Sequence, residues 1–446
     1  MEPFAGMRAA EVRQIAKTHG TPTFVYDDTR FASSVSALRS VWEAAFPLAS
    51  IYLSYKTNYL PSLCRTAHRL GLGADVVSGY ELEHALRLCT TGDIVFNGPM
   101  KRRDELRCAA QAGAVINVDL LEELEVLADL RRAGEIPDPR IGVRVNPGVR
   151  VFSSPDSSFT TAHEARQRTA KFGWPLEGGL AAKVVHRAHE LGFTVRSVHA
   201  HLNSQITEVD LHVAALRPVL DFAREIRSAG ASLDEVNVGG GFGVPGMQRQ
   251  RRGWRYEMMA AAGEIMDDRE DAVFDMAAFA GALQGDLAAR SLDDLRISCE
   301  PGRYLMSDCM TLIGRVVGIK MLADRCWVVI DAGLHIMPTA AFGEQRRLRF
   351  FRDDGELDVD AGSPIASLGG PLCYEGDVLM TRVRVPQSLA AGDLVMISDA
   401  GAYTVSRSTN FNQARAAVVS RNGANGEEIW RREAYSDIFT FDSTEA

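Results

Sequence analysis

Lys56 is the residue whose type and position most directly suggest covalent chemistry. It follows the apolar run Ile51–Tyr55, within the segment IYLSYKTN. Taking a lysine out of water lowers the pKa of its amine, which then becomes a nucleophile toward an aldehyde. A lysine at the end of a strand is also a common solvated cap, so this position alone leaves both interpretations open.

Glu300 and Arg303 flank the turn-forming pair Pro301-Gly302 in the segment CEPGRYL. A carboxylate fixed by such a turn can hold a proton on a heteroaromatic nitrogen. The neighbouring arginine suits a phosphate or a carboxylate group. The alternative interpretation is an ordinary salt bridge.

The glycine-rich segment GGGFG, residues 239–243, follows the apolar run Val236–Val238. Glycines in a turn after a strand expose backbone N–H groups, and a phosphate can approach them without meeting a Cβ atom. The segment matches neither a GxGxxG fingerprint nor a P-loop. A phosphate cradle and a bare tight turn both remain open.

His199 and His201 lie in SVHAHLNSQ, and strand alternation would place both on one face. Two histidines could ligate zinc, but no further cluster of ligands completes a set, so we predict no metal site. A histidine that stacks or hydrogen-bonds in a pocket is the preferred interpretation. Cys373, in GGPLCYEGDVL, is a candidate proton donor, although buried cysteines are often inert.

The elements that would position these residues alternate between short apolar runs and longer amphipathic ones, from about residue 50 to 290. This alternation predicts a parallel sheet closed into a (β/α)8 barrel. The predicted strands are Ile51–Tyr55, Ala74–Val77, Asp93–Phe96, Val115–Val118, Arg140–Val145, Val195–His201 and Glu235–Val238. The predicted helices are Ser62–Leu70, Tyr80–Leu88, Lys101–Ala112, Leu120–Ala133, Leu180–Leu191 and Asp210–Ser228.

The pattern changes after about residue 296, where strands follow one another with little helix between them. We therefore predict an α/β protein with a barrel over residues 30–292. A β-rich domain would comprise residues 1–29 and 293–446, and Thr23–Tyr26 would add a strand to it. The polar stretch from Gly246 to Asp271 is interpreted as a surface excursion or an active-site lid.

Composition narrows the possible partners. The 446 residues carry a formal net charge of −9, which argues against a face made for nucleic acid. No apolar stretch is long enough to span a bilayer, and the N-terminus is interpreted as an amphipathic helix rather than a signal peptide. Seven scattered cysteines without a CxxC pair suit a reducing compartment. We expect a cytoplasmic enzyme that binds neither membrane nor nucleic acid.

Taken together, the motifs resemble the fold-type III pyridoxal-phosphate (PLP) decarboxylases, the group that contains diaminopimelate, ornithine and arginine decarboxylases. The resemblance runs from roughly Thr23 to Val418 and is closest to diaminopimelate decarboxylase-like enzymes. The motifs appear in family order: YKTN, GADVVSGYEL, NGPMK, RVNPGV, KFG, HLNSQ, GGGFG, EPGRY, GPLCYEGD and DAGAYTVSRSTNFN.

The resemblance implies an alanine-racemase-like barrel that binds PLP, and a role for each matching residue. Lys56 would form the internal aldimine, with Asp75 near that end of the cofactor. His201 would stack on the ring, and Glu300 would hold the pyridinium proton. The implied phosphate ligands are Ser204, Gly240, Gly241 and Tyr403, with Arg303 binding phosphate or the substrate carboxylate. Family members are typically dimers with shared sites, so Cys373 would enter the partner's site and protonate Cα.

Two departures from the family bear on the substrate. Diaminopimelate decarboxylases carry an Arg-Pro-x-x-Tyr element, but Met337 and Ala341 stand at its arginine and tyrosine places. A thioether cannot replace a charge-assisted hydrogen bond, typically worth about 1.5–3 kcal/mol. Tyr374 also stands where relatives put an acid, with Glu375 one residue on, and Glu375 would still serve as that acid if the loop alignment slips by one. Tyr374, Glu375 and Arg303 are the predicted substrate contacts.

These departures favour an L-amino acid or a conjugated amino acid other than diaminopimelate, such as a siderophore precursor or a carrier-bound aminoacyl group. Arg407 or the arginine-rich stretch 248–255 could contact such a substrate, but each also suits a solvated surface. A PLP-dependent racemase, a genuine diaminopimelate decarboxylase and a non-catalytic regulator are the alternatives. The GPLCYEGD loop weighs against a racemase, and the retained Lys56, His201, Glu300 and Cys373 weigh against a regulator.

Overall fold

The structure is a computed structural model. It describes residues 6–89, 93–149, 169–245, 248–249, 258, 274–323, 325–342, 344–353, 355–421 and 426–440. The chain divides into two compact units. The barrel unit comprises Ala32–Val244 and Ala272–Tyr304. The sheet unit comprises Met1–Phe31, Pro245–Asp271 and Leu305–Ala446.

Eight parallel strands close into a ring in the barrel unit, as the sequence predicts. In chain order they are Ala49–Ser54, Gly73–Val76, Ile94–Phe96, Val115–Val118, Arg140–Asn146, Val195–His199, Glu235–Asn237 and Arg296–Cys299. The fourth strand pairs with the fifth, and the eighth pairs with the first. The strands Gly73–Val76 and Val115–Val118 are buried along their whole length, so neither has a solvent-facing polar side, and their polar residues Asp75 and Asn117 are buried.

Amphipathic helices alternate with these strands. They are Asp28–Ala45, Pro61–Arg69, Gly79–Leu88, Arg103–Gln111, Leu121–Arg132, Leu180–Glu190, Val209–Ser228 and Met276–Ala288. Proline at the first position starts Pro61–Arg69, and the side chain of Ser78 caps Gly79–Leu88 by accepting the N–H of Glu81. None of the described helices combines the length and the apolar character that crossing a bilayer requires.

The sheet unit contains a ten-stranded sheet. Its strands are Thr23–Tyr26, Met310–Met321, Cys326–Ile330, Leu348–Arg352, Gly355–Leu357, Ile365–Gly369, Val378–Arg384, Leu394–Ile397, Ala417–Ser420 and Glu427–Trp430. Thr23–Tyr26 pairs antiparallel with Met310–Met321 and parallel with Ala417–Ser420, so its predicted place in this sheet is confirmed. The N-terminal helix Ala9–His19 packs Val12 and Ile15 into the core of the sheet unit.

Shorter elements complete the described chain. They are the helices Arg303–Met306 and Tyr435–Ile438, the 3-10 helices Glu177–Gly179, Ser307–Cys309, Pro338–Phe342 and Val405–Arg407, and the two-residue strands Trp174–Pro175, Gln248–Arg249 and Glu344–Gln345.

The predicted domain boundary at residue 293 is wrong. Arg296–Cys299, assigned from the sequence to the β-rich domain, is the eighth barrel strand and pairs with Ala49–Ser54 and Glu235–Asn237. The barrel unit continues to Tyr304. Only the four-residue helix Arg303–Met306 follows this strand. The alternation of a strand with a long helix therefore ends before the eighth strand, although that strand is needed to close the barrel.

Candidate active site

Lys56 lies two residues beyond the first barrel strand, next to Asp75 of the second strand. The Nζ atom of Lys56 donates to Oδ2 of Asp75 at 2.7 Å and to Oγ of Ser54 at 2.8 Å. The Ser54 hydroxyl in turn donates to the same Asp75 oxygen at 2.7 Å. Asp75 is fully buried, whereas 32% of the Lys56 side chain is exposed. The lysine side chain is therefore partly accessible while its counter-ion is inaccessible.

Glu300 follows the eighth strand and is almost completely buried. Its Oε1 atom accepts from Nδ2 of Asn97 at 2.8 Å and from Nδ2 of Asn237 at 2.9 Å. Nε2 of His199 lies 3.2 Å from Oε2. Burial alone would raise the pKa of Glu300, but His199, Lys56 and the other nearby groups outweigh it and hold that pKa well below its usual range. The carboxylate is therefore ionised.

The two histidines of the HAH segment, His199 and His201, have different hydrogen-bond partners. The sixth strand ends at His199, so the predicted common strand face does not exist. His199 lies against Glu300, and Nδ1 of His201 accepts the backbone N–H of Gly240 at 3.1 Å. Desolvation lowers the pKa of His201 well below its ordinary value, and the charge of Lys56 lowers it further. His201 is therefore a neutral imidazole.

The glycine-rich turn after the seventh strand packs tightly against two neighbouring segments. A Cβ atom on Gly240 would lie 2.2 Å from the carbonyl oxygen of Glu300. One on Gly241, where φ is +90°, would lie 1.9 Å from the carbonyl oxygen of Asn203. Loop packing therefore requires these glycines irrespective of any ligand. The same packing brings Ser204, next to Asn203, to the turn that holds Gly240 and Gly241.

Arg303 begins the short helix after the Pro301-Gly302 turn. A Cβ atom on Gly302 would lie 2.2 Å from Oγ1 of Thr57, the residue after Lys56. The turn that carries Glu300 and Arg303 thus lies directly against the segment that carries Lys56. The barrel unit therefore carries Asp75 within its second strand and its other predicted site residues after the carboxyl ends of strands: Lys56, His201, Ser204, Gly240, Gly241, Glu300 and Arg303.

The other predicted residues belong to the sheet unit. Cys373 and Glu375 are exposed, and Tyr374 is 58% exposed. The backbone N–H of Cys373 donates to Oδ1 of Asn412 at 3.1 Å. Tyr403 adopts a positive φ of 58° in a separate loop of the same unit.

A family model described as "Pyridoxal-dependent decarboxylase, pyridoxal binding domain" matches residues 32–307. This range contains every predicted site residue of the barrel unit. The chain belongs to the pyridoxal-dependent decarboxylase family.

The individual proteins to which this decarboxylase is similar are also decarboxylases. A diaminopimelate decarboxylase of Methanocaldococcus jannaschii is 28% identical over 440 residues, covering 96% of this chain and 92% of the relative. One from Archaeoglobus fulgidus is 29% identical over 444 residues, with coverage of 97% and 95%. A crystal structure of diaminopimelate decarboxylase from M. jannaschii matches with a TM-score of 0.81 and 26% identity, covering 96% of this chain and 93% of that one.

The decarboxylase acts on an amino acid and uses pyridoxal phosphate as its cofactor. The chemistry of the residues fits that cofactor. Lys56 offers an accessible amine beside a buried carboxylate, and Glu300 offers a second, ionised carboxylate. Among the residues that the structure describes, no three His, Cys, Asp or Glu side chains are grouped so as to hold a metal ion.

Met337, Ala341 and Arg407, the positions that bear on substrate choice, lie in the sheet unit of the decarboxylase. Met337 is 1% exposed, whereas Ala341 is exposed. The guanidinium carbon of Arg407 lies 5.4 Å from the centre of the Phe342 ring. The proposed lid at residues 246–271 and the arginine-rich stretch 248–255 lie outside the described residues, except for residues 248, 249 and 258.

Sequence reasoning did not identify Ser54, Asn97 or Asn237, although all three bond directly to the predicted site residues. It also gave His199 no role beside Glu300. A signal was available in hindsight: each is a polar residue within or directly after a short, otherwise apolar, buried run. Buried polar side chains need partners, so several of them at the ends of neighbouring barrel strands indicate a shared site.

Proposed function

We propose that Lys56 binds pyridoxal phosphate covalently and that the barrel residues around it remove the α-carboxyl group of an amino acid. The observation that carries this proposal is the hydrogen-bonded path that begins at the Lys56 amine and reaches Glu300 by way of Asp75 and Asn97. Asp75 orients the amine and neutralises its charge. Because the Lys56 side chain is partly exposed, its amine can react with the aldehyde carbon of the cofactor.

Glu300 is proposed to hold a proton on the ring nitrogen of the cofactor. Bound pyridoxal phosphate supplies an electron-poor ring that accepts the charge left when carbon dioxide departs. An ionised carboxylate in a buried site attracts a ring proton strongly, because little water screens the charge. His201, being neutral, can lie against the ring without adding a competing cation. The proposed phosphate ligands are Ser204, Gly240, Gly241, Arg303 and Tyr403.

Cys373 is proposed to deliver the proton that replaces the lost carboxyl group. Its loop is exposed in the single chain, and the side chain of Asn412 accepts the backbone N–H of Cys373, which suits a loop that completes a site on a partner subunit. We therefore propose a homodimer in which Cys373, Tyr374 and Glu375 reach the partner's barrel. A thiol supplied in this way would act as a general acid, a role that contributes typically about 10²–10⁴ in rate.

The substrate is proposed to be an amino acid whose distal end differs from that of diaminopimelate, in a modified or conjugated form. The side chains of Met337 and Ala341 cannot bond a distal carboxylate, and Tyr374 lacks the carboxylate that would pair with a distal ammonium, a role that would fall to Glu375. Genuine diaminopimelate decarboxylation is the second candidate. The observation in its favour is that relatives sharing 28% and 29% identity over almost the whole chain carry that name.

The test uses the protein loaded with pyridoxal phosphate and measures carbon dioxide released from free and conjugated amino acids, including diaminopimelate. Lys56→Ala should abolish the visible absorbance of lysine-bound cofactor and lower release by at least about a thousandfold. Lys183→Ala, at an exposed lysine on the helix Leu180–Glu190, is the matched control. Undiminished absorbance and release in Lys56→Ala would refute the assignment. Release from diaminopimelate faster than from every other compound would decide for the second candidate.

A further inference from the structure

Asn97 lies between the two carboxylates of the candidate site. It follows the third barrel strand directly and is 2% exposed. Its Nδ2 atom donates to Oδ1 of Asp75 at 2.8 Å and to Oε1 of Glu300 at 2.8 Å. A primary amide has two N–H donors, so each carboxylate takes one of them.

The orientation of this amide is fixed from its other side. Nδ2 of Asn117, in the fourth strand, donates to Oδ1 of Asn97 at 2.8 Å. The backbone N–H of Asn97 donates to the carbonyl of Val76 at 2.8 Å. Turning the amide over would present its oxygen to two carboxylates and its nitrogen to a donor. The Asn97 side chain can therefore keep its three bonds in one orientation only.

We propose that Asn97 is a positioning residue that couples Asp75 to Glu300. The carboxylate that pairs with the Lys56 amine and the carboxylate assigned to the ring nitrogen of the cofactor are then held as one unit. This inference rests on the proposed function for the roles of the two carboxylates. Hydrogen bonds from an amide to ionised carboxylates are stronger than those between neutral groups. A shift of either carboxylate therefore moves the amide, and with it the other carboxylate.

Asn237 provides a matched control because it also donates to Glu300 but has no bond to Asp75. Its Oδ1 atom accepts the backbone N–H of Gly239, as Oδ1 of Asn97 accepts from Asn117. Asn97→Asp and Asn237→Asp each keep that acceptor and each remove the amide donor to Glu300. A protonated aspartate has a single O–H, which cannot serve two carboxylates at once. Only Asn97→Asp therefore breaks the link.

The experiment is a double-mutant cycle with Asp75→Asn and Glu300→Gln, measured in three backgrounds: the parent, Asn97→Asp and Asn237→Asp. The readouts are the dissociation constant of pyridoxal phosphate and, without cofactor, the unfolding equilibrium constant from urea titration. In the parent and in Asn237→Asp, the double variant should depart from the product of the single effects by at least about fivefold. In Asn97→Asp the departure should fall to within about twofold.

Equal coupling in the Asn97→Asp and parent backgrounds would overturn the proposal, as would additivity in the parent. If Asn97→Asp does not fold, Asn97→Ser replaces it, since one hydroxyl donor can reach only one carboxylate. The unfolding readout keeps the two proposals separate. A protein that shows the coupling in unfolding but never binds pyridoxal phosphate would sustain the link and refute the proposed function.

Discussion

Glu300 of the barrel unit and Asp377 of the sheet unit are both buried carboxylates, but their hydrogen-bond donors differ in kind. Glu300 is surrounded by side chains: two amides and an imidazole. Asp377 accepts from the backbone N–H groups of Leu334 and Leu372, at 2.7 and 2.8 Å. Burial acts on both in the same direction, because it disfavours a charged carboxylate.

The outcome is opposite. The pKa of Glu300 is held low because its interactions with His199 and Lys56 outweigh burial, whereas burial outweighs the two backbone bonds of Asp377 and raises its pKa. Asp377 instead shapes loops: a Cβ atom on Gly333 or Gly370 would lie 2.7 or 2.2 Å from its oxygens. Of these two carboxylates, Glu300 is kept ionised at the candidate site, whereas Asp377 fixes the course of the chain.

Removing Lys101 sharpens this comparison, because its partner Glu123 is a third buried carboxylate. Nζ of Lys101 donates to Glu123 and to the carbonyls of Gly98 and Asn117. Among the described residues, none of its hydrogen bonds goes to Lys56 or Glu300. Lys101→Met should lower the free energy of unfolding by about 3–5 kcal/mol, since it removes the cation beside the buried Glu123 carboxylate, whose pKa burial already raises. Urea titration measures the loss. The double variant with Glu123→Gln should recover part of it, and equal stability of all three proteins would contradict a paired charge.

Glu300→Gln tests the other side of the comparison, where charge serves the reaction. Turnover of whichever substrate releases carbon dioxide should fall by about 10²–10³, equivalent to about 2.7–4 kcal/mol of transition-state stabilisation. The free energy of unfolding should change far less, because the amide keeps an oxygen for the asparagine donors. Steady-state rates and urea titration on the same preparations separate the two effects. A stability loss as large as the loss of turnover would show that Glu300 is mainly structural.

Much of the barrel and of the candidate site could be predicted from the sequence, because the barrel repeats one strand–helix unit. Each strand is a short apolar run, and the residue that carries chemistry comes at or after its end, as with Lys56 and Glu300. The Asn97 link could not be predicted, since its partners come from other strands and only closure of the barrel brings them together. The boundary at residue 293 was missed because the eighth strand is followed by a four-residue helix rather than a long one.

Asp377→Ala breaks the loop-shaping side of the comparison. It removes the acceptor for two backbone N–H groups, so the free energy of unfolding of the sheet unit should fall by about 1–3 kcal/mol. The thiol of Cys373, in the same loop, should then react severalfold faster with an alkylating reagent, as read by mass spectrometry of its peptide. Asn412→Ala, which removes the bond to the Cys373 N–H, is the milder control. If alkylation were unchanged in both variants, these contacts would not hold the thiol.

Glu81 gives the smallest effect and connects the comparison to pH. Its Oε2 atom accepts the backbone N–H of Val77 at 2.9 Å, as a loop-shaping carboxylate would, yet Asp75 and Lys56 also act on it. Burial raises the pKa of Glu81 from 4.5 to about 7. Since the folded state raises this pKa, Glu81 contributes stability below pH 4.5 that is lost as the pH rises through about 7.

Glu81→Gln keeps an oxygen for Val77 but cannot ionise, so it should remove this part of the pH dependence. Between about pH 4.5 and 7.5, the free energy of unfolding of the parent should fall relative to that of Glu81→Gln by about 1–3 kcal/mol. Urea titrations at five pH values measure the difference. Parallel curves for the two proteins would mean that Glu81 is solvated, and that its place beside the Lys56–Asp75 pair has no electrostatic consequence.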